Sequence, residues 1–264
     1  MSNIKLGSTT ISNAKLGSTQ VSKIYQGSNL IWQYSSGPNY VTGAKVIFDI
    51  GNPASYPGSG TTVYNLGSAG SYSDGTLSGG TYLTANSGTL QLDHATRDKI
   101  TFTTGVSASF TTQAFLKHNG SSTSWGNTTN YYNGFPNIRT DNGIIITNDV
   151  NSLTLVLSII WNGSSPQVPS NNFIYPANIA NFHSYAYTSN GYNEHKMYLD
   201  TGSAAVATNV FNSRVNSANV TSYINYDAPN NGSEDLIFMG YLQYDRVLTA
   251  SEIQQNYDIF ASRF

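Results

Sequence analysis

Acidic side chains that could serve in catalysis are scarce in this sequence. Its 264 residues include only three glutamates, Glu194, Glu234 and Glu252, among 14 acidic residues. Hydrolysis of a glycosidic bond needs two carboxylates about 5 Å or about 6.5–9.5 Å apart, and on one strand such a pair occupies alternate positions. No such spacing occurs, since Glu234 and Asp235 are adjacent and Glu252 suits a helix cap. We predict that the chain is not an enzyme, with a glycoside hydrolase or depolymerase as the alternative.

Nucleophilic catalysis has few candidate residues as well. Cysteine is absent, which excludes thiolate nucleophiles, disulfides and zinc–thiolate sites. The four histidines, His94, His118, His183 and His195, do not lie near a Gly-x-Ser-x-Gly motif, the turn that presents the serine nucleophile of many hydrolases. Composition alone leaves a Ser-His-Asp triad open.

The segment 124–135 has the composition of a sugar-binding surface. Aromatic rings cover the apolar faces of sugars, and amide and hydroxyl groups bind their hydroxyl groups. Loops rich in Tyr, Ser, Gly and Asn also form adaptable binding surfaces. The alternative is that these aromatic rings pack the loop onto the domain beneath. The candidate glycan contacts are Trp125, Asn127, Tyr131, Tyr132 and Phe135, with Tyr192 and Tyr226 as second choices.

The overall composition indicates a β protein with a neutral, hydroxyl-rich surface. Charged residues make up 10% of the chain and the net charge is -2, whereas 39% of the residues are hydrophobic and 19 are tyrosines. So few clustered cations argue against nucleic acid as a partner and against a polybasic membrane anchor. The sequence has neither an apolar run of transmembrane length nor a signal peptide, so we expect synthesis in a cytoplasm without membrane insertion.

A ten-residue period runs through the first 32 residues. Leu-Gly-Ser-Thr occurs at 6–9 and 16–19, and Gln-Gly-Ser-Asn follows at 26–29. Each unit is predicted to form two short strands around a Gly-Ser turn, and units this small must stack on something to bury apolar residues. We predict that residues 1–34 dock onto a larger assembly; a small meander packed on the main domain is the alternative. The docking candidates are Leu6, Ile11, Leu16, Val21, Ile24, Ile31 and Trp32.

Residues 40–264 are predicted to form one β domain. Short apolar alternations separated by turn residues recur from Tyr40 onward, which is typical of a β-sandwich or jelly roll. One helix is predicted near the C-terminus. It begins at a capping box of Thr249 and Glu252, and Ile253, Tyr257 and Phe260 share one face at helical spacing.

Two stretches resemble LamG-like jelly-roll domains of the concanavalin A-like lectin/glucanase superfamily. Residues 48–62, FDIGNPASYPGSGTT, resemble the opening of such domains, and residues 244–253, YDRVLTASEI, resemble their end. Residues 197–202 are similar to their Tyr-x-Asp-Gly hairpin, with Thr201 inserted. The resemblance implies an all-β, concanavalin A-like jelly-roll β-sandwich with a small N-terminal β-repeat segment and one short C-terminal helix.

The resemblance also implies two site assignments. LamG-like domains often hold one calcium ion bound by carboxylate and carbonyl oxygens, which makes Asp227, Glu234 and Asp235 the candidate ligands. A polar loop without metal is the alternative, and no other cofactor is expected. His183 falls where similar domains carry a structural residue.

LamG-like domains behind Leu-Gly-Ser-Thr repeats are typical of bacteriophage virion proteins. The resemblance therefore implies localisation in the virion, with capsid or tail proteins and a host-cell glycan as partners. It also implies a homo-oligomer, for which a trimer is one arrangement. We predict a surface structural protein, serving as fibre, decoration or adhesin, that binds host glycans or stabilises the particle. An exported bacterial lectin-like module is a further alternative.

Overall fold

The chain forms two compact units, Met1–Asn39 and Tyr40–Phe264. A computed structural model describes residues 38–93, 95–107, 109–119, 180–190, 194–201, 218–225 and 235–264, and outside these ranges only the strands given below. Among the described residues, no helix is long and apolar enough to span a bilayer.

The first unit contains three antiparallel strand pairs that recur with the sequence period. Leu6 lies opposite Thr9, and Leu16 lies opposite Thr19 ten residues later. Gln26 and Asn29 pair in the same way, so the ladders confirm the predicted β-repeat. The strands are β1 (Lys5–Leu6), β2 (Thr9–Thr10), β3 (Lys15–Leu16), β4 (Thr19–Gln20), β5 (Lys23–Gln26) and β6 (Asn29–Gln33).

The second unit is a sandwich of two eight-stranded sheets. The strands of one sheet, the covered sheet, are β7 (Ala44–Asp49), β10 (Thr81–Leu83), β11 (Thr89–Leu92), β13 (Phe110–His118), β18 (His183–Ser189), β19 (His195–Leu199), β20 (Ala207–Asn209) and β22 (Leu236–Tyr244). They lie in the order β10-β11-β22-β13-β18-β19-β20, and β7 also pairs with β22.

The strands of the other sheet, the open sheet, are β8 (Thr62–Val63), β9 (Gly75–Ser78), β12 (Lys99–Val106), β14 (Asn137–Ile138), β15 (Ile144–Asp149), β16 (Thr154–Ile159), β17 (Phe173–Ile174) and β21 (Ala218–Ile224). They lie in the order β17-β16-β15-β14-β21-β12-β9-β8. Neighbouring strands of the described sheets pair antiparallel, and hairpin neighbours such as β15 and β16 follow each other along the chain.

The main core fills the space between the two sheets. Phe48 and Tyr241 of the covered sheet meet Phe102 of the open sheet there, with ring centroids 5.1 and 5.6 Å from that of Phe102. All three side chains are almost fully buried. Aromatic contacts of this kind supply the apolar area that stabilises a sandwich with few charged residues.

A second apolar cluster lies between the covered sheet and the helix α1 (Ala250–Ala261). The predicted capping box is confirmed, since Thr249 caps the helix and exchanges hydrogen bonds with Glu252. Ile253 and Phe260 are buried as predicted, but Tyr257 is only half-buried and the neighbouring Asn256 is fully buried. The helix therefore buries a polar residue against the sheet.

Candidate functional site

Within the described residues, the central strands of the covered sheet are far more buried than the strands of the open sheet. Every residue of β18 and β22 is buried, because the inter-sheet core covers one side of that sheet and α1 the other. In β9, by contrast, Gly75 and Leu77 are buried whereas Thr76 and Ser78 are exposed. A two-residue period of this kind means that one side of the open sheet packs into the core and the other meets solvent.

The solvent side of the open sheet, here called the open face, is built almost entirely of hydroxyl residues. Its residues alternate along β12 and β21 with the buried Ile100, Phe102, Ser222 and Ile224. Lys99 is the one charged residue of this face within the described part of the chain. The open face consists of Thr62, Thr76, Ser78, Lys99, Thr101, Thr103, Thr221 and Tyr223.

Strand register lines up part of the open face into a row across the sheet. Thr62 lies opposite Thr76, which lies opposite Thr101 on β12. Thr101 in turn lies opposite Tyr223, whose other neighbour is Asn137 on β14. Four steps between adjacent strands make this row roughly 19 Å long at about 4.8 Å per step.

The row offers a repeated set of hydrogen-bonding groups and one aromatic ring. Each threonine hydroxyl can donate one hydrogen bond and accept others. The half-buried ring of Tyr223 can pack against an apolar surface while its hydroxyl binds a polar group. Such a surface suits a ligand that is itself neutral and rich in hydroxyl groups.

Most of the sequence-predicted site residues lie outside the described residues. This holds for the glycan candidates Trp125, Asn127, Tyr131, Tyr132, Phe135, Tyr192 and Tyr226, for the docking candidates Ile11 and Val21, and for the calcium candidates Asp227 and Glu234. Of the docking candidates, Leu6, Leu16, Ile24, Ile31 and Trp32 lie on strands of the first unit, where Ile24 is opposite Trp32.

The third calcium candidate, Asp235, immediately precedes β22. It is half-buried, and its carbonyl oxygen accepts a hydrogen bond from Asn119 N at 2.8 Å. No group of three or more His, Asp or Glu side chains suited to a metal occurs among the described residues. Because Asp227 and Glu234 lie outside the described residues, the calcium site of Asp227, Glu234 and Asp235 stays a prediction.

A histidine–aspartate pair joins the start of β18 to the end of β19. His183 Nδ1 lies 2.9 Å from Asp200 Oδ2, and Asp200 Oδ1 accepts the Ser184 N–H at 3.1 Å. Asp200 has a backbone φ of 61°, in the left-handed region. The pair thus fixes the position of a strained turn, which agrees with the structural role expected for His183.

Glu252 is held as a carboxylate by its neighbours. Two hydrogen bonds, at 2.6 and 2.9 Å, join it to Arg246. This contact, together with the Thr249 bonds of the cap, lowers the pKa of Glu252 to about 2. A carboxyl group with so low a pKa stays ionised near neutral pH and cannot donate a proton as a general acid.

Replacing Glu252 by glutamine will lower the free energy of unfolding by about 1 kcal/mol at pH 7. Glutamine still caps the helix, so the loss comes from the charged contact with Arg246. Because the folded-state pKa of Glu252 is depressed, this stabilisation is present above the unfolded pKa near 4.5 and is lost as pH falls towards about 2. Urea unfolding of both proteins between pH 2 and 7 should show their stabilities converging in acid; a constant difference would contradict the assignment.

The open face was not among the predicted site residues. Its signal lies in alternations such as Ile100-Thr101-Phe102-Thr103, which indicate a half-buried strand. Tyr64 and Tyr72, which are 46% and 59% exposed, were not predicted as site residues either. Their signal is two aromatic residues within a run rich in Gly and Ser.

Solved structures share this fold, although no protein-family model and no curated protein matches the sequence. The botulinum neurotoxin type G receptor binding domain aligns with a TM-score of 0.58 at 16% identity, covering 83% of this chain and 51% of that one. The binding domain of Paraclostridial mosquitocidal protein 1 gives 0.62 at 12% identity, covering 81% and 52%.

Trypanosoma rangeli sialidase in complex with sialic acid also aligns, with a TM-score of 0.54 at 11% identity, covering 85% of this chain and 34% of that one. The chain spans about half the length of the two binding domains. At such identities the likeness shows the fold, and it confirms the predicted jelly-roll β-sandwich. The LamG resemblance and the virion role are still predictions.

Proposed function

We propose that this chain is a carbohydrate-binding protein that holds a glycan on the open face. The observation that carries the proposal is the row of hydroxyl residues and Tyr223 across β8, β9, β12 and β21. Sugars present hydroxyl groups and small apolar ring faces, and the row supplies a partner for each. The binding domains and the sialidase that share the fold are consistent with this use.

Binding at such a face is expected to be weak for each copy. The row is partly exposed to water, so a hydrogen bond from an exposed hydroxyl to the ligand replaces one to solvent and adds little net free energy. Several copies on one particle can nevertheless hold a repetitive surface firmly, because later contacts form at high effective concentration. The proposed mechanism is adhesion by many weak contacts.

We propose that the chain binds the glycan without cleaving it. The described glutamates are engaged, Glu194 with Lys196 and Glu252 with Arg246. The described part of the open face also lacks a carboxylate pair. A glycoside hydrolase is the second candidate, since a sialidase shares the fold. A reducing-sugar assay on any polysaccharide that binds would separate the two, because release of new reducing ends would favour the hydrolase.

We further propose that the unit Met1–Asn39 attaches the chain to a bacteriophage particle, as one copy of a homo-oligomer. The support is the resemblance of its repeats to virion proteins and its separation as a compact unit. Isolated two-stranded sheets of this length are marginal in water, which favours a role in which other chains complete them. Antibody labelling of purified particles tests the attachment, and particles without label would overturn it.

Replacing Tyr223 by alanine will weaken glycan binding by about tenfold. Loss of the one aromatic ring of the row removes packing worth about 1.4 kcal/mol, which corresponds to that factor. Binding of the full chain should be measured on an array of bacterial polysaccharides and then by titration with the best ligand. Replacing Thr101 by arginine should have a similar effect, because a long side chain would cover the neighbouring hydroxyl groups.

Gln255 provides the matched control. It is exposed on α1, the helix that packs on the covered sheet, so Gln255→Arg adds the same charge as Thr101→Arg away from the open face. This variant should bind like the native protein, and all three should melt normally. Equal weakening by the control, or no glycan binding by the native chain, would refute the proposal.

A further inference from the structure

The connection between β8 and β9, residues 64–74, carries two exposed tyrosines and is here called the tyrosine loop. Tyr64 is 46% and Tyr72 is 59% exposed. Only four large hydrophobic side chains are exposed among the described residues, and the others are Val247 and Phe264. Half of the exposed large hydrophobic side chains in the described chain therefore lie in this one loop.

A buried amide holds the tyrosine loop in a single conformation. Asn65 is 9% exposed, and its Oδ1 accepts from Ile47 N and Gly67 N, each at 2.8 Å. Its Nδ2 donates to Lys45 O at 3.0 Å and to Gly70 O at 3.1 Å. All four hydrogen-bonding positions of one side chain thus tie the loop to β7 and close it on itself.

Close backbone packing adds to this rigidity. The loop lies along β7, where Ser68 N donates to Ala44 O at 2.9 Å and Ala69 N donates to Lys45 O at 3.1 Å. A Cβ atom added at Gly67 would lie 2.3 Å from Lys45 O, so the chain approaches β7 as closely as glycine allows. A loop ordered in advance loses little conformational entropy when a ligand binds to it.

Asp74 places a carboxylate on the backbone of the tyrosine loop, at the residue that follows Tyr64. Its Oδ1 accepts the Asn65 N–H at 2.8 Å, and Asn65 is the next residue after Tyr64. Its second oxygen, Oδ2, makes no hydrogen bond to the described residues, and the side chain is half-buried rather than exposed. The loop therefore combines aromatic rings with an acceptor for two hydrogen bonds.

We propose that the tyrosine loop is a second binding site, separate from the open face, for a single uncharged sugar residue. A tyrosine ring can cover the apolar face of a pyranose, and Asp74 Oδ2 can accept hydrogen bonds from its hydroxyl groups. The negative charge of Asp74 repels acidic sugars such as sialic acid. The site would thus select neutral residues at chain ends or branches.

Titration of the full chain with the methyl glycosides of glucose, galactose, mannose and N-acetylglucosamine, followed by NMR, tests the inference. At least one should bind, and Tyr72→Ala should weaken that binding by about tenfold or more. The protein should fold normally, because the Tyr72 ring is mostly exposed. Phe264→Ala, which removes an exposed aromatic ring elsewhere, and Tyr223→Ala on the open face should leave the binding unchanged.

Asp74→Asn provides the readout of selectivity. Asparagine can still accept the Asn65 N–H, so the loop keeps its shape while the charge is lost. We expect neutral glycosides to bind several-fold more weakly and N-acetylneuraminic acid to bind relatively better than in the native chain. Failure of every monosaccharide to bind, or equal binding of the acidic sugar by the native chain, would overturn the inference.

The two sites fail in distinguishable ways. If Tyr223→Ala abolishes monosaccharide binding and Tyr72→Ala does not, the sugar sits on the open face; the inference is then wrong and the proposed function stands. If Tyr72→Ala weakens monosaccharide binding but Tyr223→Ala and Thr101→Arg leave polysaccharide binding unchanged, the tyrosine loop is a binding site and the open face is not.

Discussion

Replacing Asn256 by alanine will lower the free energy of unfolding by about 3 kcal/mol. Asn256 is fully buried on α1, where its Oδ1 accepts from Val41 N at 3.1 Å and from the Tyr244 hydroxyl at 3.2 Å. Its Nδ2 donates to Gln113 Oε1 at 3.2 Å. Alanine would leave these three partners buried without hydrogen bonds, and that loss outweighs the benefit of burying a smaller, less polar residue.

Gln255→Ala is the matched control for this prediction, because it removes an exposed amide at the neighbouring position of the same helix. We expect it to change stability by no more than about 0.5 kcal/mol. Urea unfolding at pH 7 should show a lower midpoint for Asn256→Ala with an unchanged slope. Equal stabilities of the two variants would show that the buried amide contributes nothing beyond helix propensity.

Replacing Arg263 by methionine will cost about 4 kcal/mol of stability, because it leaves a buried carboxylate without its cation. Arg263 Nη1 lies 2.7 Å from Asp49 Oδ1, and Asp49 is only 1% exposed. The guanidinium also lies 4.6 Å from the centre of the Phe260 ring. Methionine keeps much of the apolar contact, so the loss reports mainly on the charge.

The partner variant shows whether the buried charge is the cause. Asp49 also accepts the Tyr40 hydroxyl at 2.5 Å and the Gly51 N–H at 3.1 Å, so Asp49→Asn alone should destabilise the protein. Combined with Arg263→Met, however, it should cost less than the sum of the two single changes, since no charge is left buried. Strictly additive losses in urea unfolding would argue against direct coupling of the pair.

The β architecture of the main domain was predictable because several of its strands, β9 and β12 among them, alternate between buried and more exposed residues. Buried residues alternate with exposed ones along β9 and with half-buried ones along β12, as the apolar pattern indicates. The helix start was predictable as well, since Thr249 and Glu252 satisfy backbone groups only three residues apart. Such local signals depend on neighbours in the chain, which a sequence displays directly.

Which residues of α1 are buried against the covered sheet was not predictable in the same way. Helical spacing placed Tyr257 in the core, yet Asn256 is the residue that is fully buried. Its burial depends on Gln113, which lies 143 positions away in the chain. A polar residue becomes a core residue only when distant partners satisfy its hydrogen bonds, and a single sequence does not show that pairing.

The candidate site illustrates a similar limit. Alternation along β12 predicts a half-buried strand, but not which sheet keeps a face open, because that depends on where α1 packs. The loop that carries Tyr64 and Tyr72 is held in place by the buried amide of Asn65, whose hydrogen-bond partners include Ile47 on another strand. Counting aromatic residues instead favoured the segment 124–135, which lies outside the described residues.

The central position of β22 has a consequence for how the domain is made. This strand pairs with β7, β11 and β13, yet it is synthesised after most of the domain has left the ribosome. Until β22 has been synthesised, β7 lacks the strand with which it pairs among the described strands. Unpaired strand edges of this kind promote aggregation. Folding of the sandwich should therefore be a late and slow event dominated by non-local contacts, and chaperone demand during expression should be highest for fragments that stop short of residue 236.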